Sequence, residues 1–213
     1  MNLFKAVGLV LGLAMLTMAF FAVGSAAAEP TKLCSANEEH CSKEKTLSGN
    51  WLTSFATPGT KPTTGASMAM SFLPTVTCTS SKFNSQELKS AGGPLLGKLS
   101  YWYNLGCSGT EATGCTMGTV VESPSSLPVE IVNTSGGNGT IKVTKPLLNV
   151  ECTSPKFQCT FTKTTMEFTL TGGAPAKIDT TSILTKIAGT CPSTATFNAT
   201  YLVADPTSVF VTN

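Results

Sequence analysis

The stretch that decides the fold is "PVEIVNTSGGNGTIKV", residues 128–143. Val129 and Ile131 alternate with polar neighbours before a Gly- and Asn-rich turn, and Ile141 and Val143 alternate after it. Side chains on a strand point to opposite faces in turn, so this period-two pattern reads as two half-buried strands. "NTSGGNG" supplies residues that tolerate positive φ, which a tight hairpin requires. One hairpin is therefore legible without any other information.

The same pattern repeats outward in both directions. Met68, Met70 and Phe72 share one face of "SMAMSF". In "KLSYWYNL" alternation places Leu99, Tyr101, Tyr103 and Leu105 together, with Trp102 opposite. Met166, Phe168 and Leu170 line one face of "TMEFTLT"; Ala195, Phe197, Ala199, Tyr201 and Val203 do so in "TATFNATYLV". "SQELKS" (85–90) is the sole helix-like segment, stopped by Ala91-Gly92-Gly93-Pro94. About a dozen short strands between turn signals predict an all-β, antiparallel fold, sandwich-like or barrel-like, with Thr on the wet face.

The N-terminus reads as an export signal. Lys5 gives a charged start, Ala6 to Gly24 is almost wholly apolar, and Ser25-Ala26-Ala27-Ala28 offers small residues for cleavage before Glu29. Residues 1–28 are thus expected to be a signal peptide, the alternative being a retained anchor, and after cleavage no stable membrane anchor is expected. Removing 28 of 213 residues leaves 185. Residues 29–48 read as an N-terminal extension and 49–213 as the β domain.

The chain has 14 Lys plus Arg, all of them Lys, against 12 acids. Without Arg or clustered positive charge, nucleic-acid binding is not expected. All eight cysteines follow the cleavage point, and an even count in an exported chain predicts disulfides over zinc, whose sites use closer thiolate pairs or several His. Nearness in sequence suggests Cys34–Cys41, Cys107–Cys115 and Cys152–Cys159, leaving Cys78 with Cys191.

No cofactor or metal site is expected. His40, the single histidine, sits beside Glu38 and Glu39 in a polar loop. No serine lies in a G-x-S-x-G elbow. Glu122, Glu130, Glu151 and Glu167 fall on strands, where two could converge for sugar hydrolysis or simply face solvent. Trp102 is a candidate ligand contact if Tyr101 and Tyr103 face the core, since an exposed indole stacks on sugar rings; the alternative is a Trp buried in the core. Asn133, Asn138 and Asn198 sit in N-x-S/T sequons.

Two phrases, "VTCTSSKF" (76–83) and "VECTSPKF" (150–157), nearly coincide. They are read either as a gapped duplication, about 76–107 and 150–191, or as convergence of two strands entering similar turns.

"LCSANEEHC" (33–41), "TVTCTSS" (75–81), "TGGAPAKI" (171–178) and "TCPSTATFNATYLV" (190–203) followed by "SVFVT" resemble a large family of secreted bacterial proteins. Its members share L-C-x-x-x-E-x-x-C near the mature start and C-P-S-x-A-x-aromatic-x-A-T-Y near the end; Phe197 stands where Trp is common. The resemblance implies export and a disulfide-bonded β-rich fold, implies no activity or cofactor, and leaves the sequons idle. The expectation is an exported, non-enzymatic protein that binds or builds structure at the cell surface or outside the cell; its partner is not identified by the sequence, a cell-wall or other extracellular polymer being the candidate. The alternative is a carbohydrate-active or carbohydrate-binding protein using strand carboxylates and Trp102.

Overall fold

In the computed structural model, "PVEIVNTSGGNGTIKV" forms a hairpin whose turn residues Gly136 and Gly137 have φ of 59° and 83°, the pair of positive values such a turn requires. The structure describes residues 30–38, 41, 52–56, 65–90, 92–119, 127–205 and 208–213. These contain strands β1 (Lys32–Cys34), β2 (Leu52–Ala56), β3 (Ala66–Met70), β4 (Leu73–Ser90), β5 (Leu95–Gly109), β6 (Thr116–Thr119), β7 (Leu127–Ser135), β8 (Asn138–Thr144), β9 (Leu147–Thr153), β10 (Lys156–Thr162), β11 (Thr165–Thr171), β12 (Lys177–Gly189), β13 (Thr194–Asp205) and β14 (Phe210–Thr212). The fold is all-β and antiparallel. The expected helix at 85–90 is instead the end of β4, where the segment pairs with β5.

The strand pairings close on themselves. One circuit runs β5–β7–β8–β11–β12–β13–β2–β4 and back to β5; a second runs β5–β6–β9–β10–β12–β13–β3–β4 and back. The long strands β4, β5, β12 and β13 belong to both circuits. Each shorter pair (β2/β3, β6/β7, β8/β9, β10/β11) occupies one position as an interrupted strand. The result is an eight-position up-and-down barrel, with each stave next to its sequence neighbour and the last bonded to the first. The breaks in β8/β9 and β10/β11 lie side by side, with the Lys145 N–H donating to the Thr164 carbonyl at 3.0 Å. Of the two architectures open to the sequence, closure selects the barrel, and among the described residues its staves have no open edge.

Apolar side chains point inward. Phe83, Trp102, Phe168, Phe197 and Tyr201 meet in the centre with ring centroids 5.2–6.5 Å apart. The expected inward faces of β7, β8, β11 and β13 are all buried. The outward positions of β11 are Thr165, Glu167, Thr169 and Thr171. The outer face of this strand is thus polar, while Leu96, Leu105, Ile183 and Ile187 are exposed elsewhere on the exterior.

One end carries the β3–β4, β5–β6, β9–β10 and β12–β13 connections. The other carries the β4–β5, β7–β8 and β11–β12 turns and is covered by the β1–β14 ribbon, in which Leu33 pairs with Val211. Val211 of β14 bridges to Gly137, and Val209 just before the strand bridges to Gly173, so two hairpins are engaged. This covering needs close backbone approach: a Cβ on Gly172 would collide with the Gly137 carbonyl oxygen and the Phe210 ring.

The disulfides correct three of the four expected pairs. Cys34–Cys41 forms as expected, but the others are Cys78–Cys107, Cys115–Cys152 and Cys159–Cys191. Cys107–Cys115 fails because Cys107 stands directly opposite Cys78 across β4 and β5, with Cα atoms 3.8 Å apart. Cys115 enters β6, which lies along β9, and meets Cys152 at 4.0 Å. Cys152 and Cys159 share one hairpin, but the register sets Cys152 opposite Phe157 and Cys159 opposite Val150, so they are diagonal. Cys159 instead stands opposite Gly189 at the end of β12 and bonds to Cys191 in the β12–β13 connection that follows. Nearness along the chain misled because a barrel brings together staves, not loop ends. All eight cysteines are oxidised, which is consistent with an oxidising compartment.

Two further corrections concern Phe72 and the repeated phrase. Phe72 does not join Met68 and Met70 in the core; it occupies the β3–β4 turn with φ 63° and is fully exposed. "VTCTSSKF" lies wholly within β4 and turns nowhere, whereas "VECTSPKF" crosses the β9–β10 turn.

Candidate functional site

The outward face of β5 changes parity halfway along. Leu95 and Leu99 point inward, yet Trp102 and Asn104 do too. The switch is a bulge: Asn84 pairs with Tyr101 and Ser85 with Leu99, so Ser100 is the extra residue. Tyr101 and Tyr103 are thereby turned outward and Trp102 inward. This corrects the candidate contact: Trp102 is 2% exposed, and its indole N–H donates to the Tyr201 hydroxyl at 3.0 Å. The Trp belongs to the core, which is the alternative the sequence left open, and the solvent-facing aromatics are the two tyrosines.

Their rings lie 5.7 Å apart and tilted by 34°. Lys82, opposite Tyr103 on β4, holds its ammonium 4.9 Å from the Tyr101 ring centre. A hydrogen bond with Tyr101 raises the Lys82 pKa above its usual value, against a smaller opposing effect of burial. Leu105 extends the outward row and is 56% exposed.

Beside Tyr103 the face is bare. Its partner on β6 is Gly118, and nothing lies within 4 Å of where a Cβ there would stand. Continuing across the sheet, Gly118 pairs with Asn149 and Asn149 with Thr160. The Thr160 hydroxyl donates to Asn149 Oδ1 at 3.3 Å, and Thr116 donates to Glu151 Oε1 at 3.3 Å. Toward the β9–β10 turn a recess of about 390 Å³ is lined by Glu151, Cys152, Thr153, Lys156, Phe157 and Gln158. With strands about 4.8 Å apart, the face from Tyr103 to Thr160 spans roughly 15 Å. It combines an aromatic ledge, a flat strip without side chain, and amide, hydroxyl and carboxylate groups.

The other sequence candidates do not assemble. Glu130 and Glu167 both pair in register with Lys142, which stands between them, and Glu130 lies 4.0 Å from it. They face outward, away from Trp102, and Glu151 is on a different part of the exterior. No paired-carboxylate cleft forms among the described residues. Glu122, Glu39 and His40 lie outside the described residues, and within them no group of three His, Cys, Asp or Glu could hold a metal. Asn138 of the sequons is engaged, its Oδ1 accepting the Gly172 N–H at 3.0 Å.

No family model, curated protein or solved structure matches the chain.

Proposed function

We propose that this is an exported, non-enzymatic protein that binds an uncharged extracellular polymer, a glycan above all, on the outer face of β5, β6, β9 and β10. The observation that carries the reading is the outward Tyr101–Tyr103 pair beside the bare Gly118 strip. Tyrosine offers a rigid apolar ring with a polar tip, suited to the C–H face of a sugar, and the strip leaves room for a ring to lie flat. Asn149, Thr160, Thr116 and Glu151 supply hydrogen-bond partners for hydroxyl groups at the spacing of neighbouring strands. Low charge on the chain favours a neutral ligand. The export signal, the resemblance to secreted bacterial proteins and four disulfides support a location outside the cell.

The test is co-sedimentation of the disulfide-intact mature protein with insoluble polysaccharides and purified cell wall, followed by a glycan array. Tyr103→Ala is expected to weaken binding roughly tenfold, equivalent to about 1.4 kcal/mol, with an unchanged melting temperature because the ring is exposed. Absence of retention on every polymer, or retention indifferent to both Tyr101→Ala and Tyr103→Ala, would reject the reading.

A further inference from the structure

The inner wall of the barrel is mostly apolar; apart from Ser85 and the mutually bonded Thr180 and Ser182, its polar groups form a short line next to the aromatic centre. Tyr201 places its hydroxyl 3.0 Å from Trp102 Nε1 and 3.0 Å from Ser81 Oγ. Protons can be counted along this line. The indole N–H only donates, and the two hydroxyls carry one proton each. One of these serves the bond between Tyr201 and Ser81, so the other must point elsewhere.

Ser81 stands opposite Asn104 in register. Asn104 is about nine-tenths buried, and neither its amide oxygen nor its amide nitrogen bonds to any protein group. On its other side the register of Tyr103 with Gly118 sets Met117 next to Asn104, and a thioether cannot satisfy an amide. The wall thus presents two amide protons and an amide acceptor on Asn104, and beside them one unassigned hydroxyl proton on Ser81 or Tyr201. A buried amide without partners is costly, and a leucine would fill similar space without that cost.

We infer that the inner wall at Ser81 and Asn104 is a binding site for a small uncharged guest that both donates and accepts hydrogen bonds: one or two water molecules, or a small alcohol or amide. A charged guest does not fit, because the flanking inward residues Trp102 and Met117 offer no counter-charge. An internal water commonly makes about three hydrogen bonds to buried polar groups, which is the set on offer here.

The experiment uses the oxidised, ¹⁵N-labelled mature protein. Cross-relaxation between water and the Asn104 side-chain amide protons is measured by NMR, and small molecules released on unfolding are identified by mass spectrometry. A long-lived water is expected to give cross-peaks to both amide protons, and an organic guest to appear at one equivalent; either outcome supports the site and tells the two sources apart. Asn104→Leu should abolish whichever signal is seen. Amide protons without a water cross-peak, in protein that releases no guest, overturn the inference. Because the wild-type spectrum decides this alone, the outcome does not depend on the variant folding.

Discussion

Tyr201 shows at the scale of one residue how the barrel interior is specified. Burial pushes its pKa well above the ordinary tyrosine value, and the hydrogen bonds with Ser81 and Trp102 pull it back only in part. The folded state therefore holds the phenolic proton more tightly than the unfolded chain does. The corresponding stability is complete below about pH 10 and is lost as pH rises from there through the folded-state pKa, by about 1.4 kcal/mol per pH unit. Urea unfolding of the oxidised protein at pH 8, 10 and 11 should show this decline. In Tyr201→Phe the tyrosine's share of the decline should vanish, while stability at pH 8 falls by about 1–3 kcal/mol because Trp102 and Ser81 lose a buried partner. An unchanged alkaline slope would mean that other groups set it. The inward direction of Tyr201 was legible from its alternation with Phe197 and Val203. Its partners were not: they lie 99 and 120 residues away, and nothing in a local pattern encodes which distant strand stands opposite.

At the scale of the element, a single inserted residue or a single turn outweighs a whole strand's periodicity. The strand at "KLSYWYNL" was correctly legible, but the Ser100 bulge reverses the faces and makes the tyrosine pair, not Trp102, the outward feature. A bulge carries no side-chain signature in this stretch, so alternation alone left open whether Trp102 or the tyrosine pair faces solvent. Phe72 was misassigned for a related reason, since the alternation of β3 was extended one step into its turn. There the ring has no packing to lose and the backbone is left-handed, a conformation that costs a non-glycine residue roughly 1 kcal/mol. Phe72→Gly should therefore stabilise the protein by about 0.5–1 kcal/mol, read as a rise in melting temperature; a fall would show that the exposed ring contributes to the fold. Gly172→Ala should do the opposite, because its added Cβ meets backbone and the Phe210 ring instead of open space.

At the scale of the whole molecule, the two ends are secured by different means. Cys78–Cys107, Cys115–Cys152 and Cys159–Cys191 span 29, 37 and 32 residues, and each ties neighbouring strands or their connection toward the end with the β9–β10 turn. In the chain-entropy account each contributes on the order of 4 kcal/mol. The opposite end instead relies on burial of Leu33 and Val211 of the ribbon and of the adjoining Val209, with Cys34–Cys41 fixing only its N-terminal arm. An even count of eight cysteines announced stapling, but which residues are joined follows from closure of the barrel, a property of all the pairings together. The asymmetry has a measurable consequence. Deleting Ser208–Asn213 removes two fully buried valines, worth roughly 3–6 kcal/mol. Hydrogen exchange should then speed up at the β7–β8 and β11–β12 turns, where the Val211 N–H to Gly137 and the Gly173 N–H to Val209 bonds are lost. The β9–β10 hairpin should keep its protection, because Cys115–Cys152 and Cys159–Cys191 still hold it. Mild reduction of the full chain should reverse the order, loosening β9–β10 first while the ribbon end stays closed. If both treatments accelerate exchange evenly around the barrel, the ends are one cooperative unit and the division of labour between ribbon and disulfides is wrong.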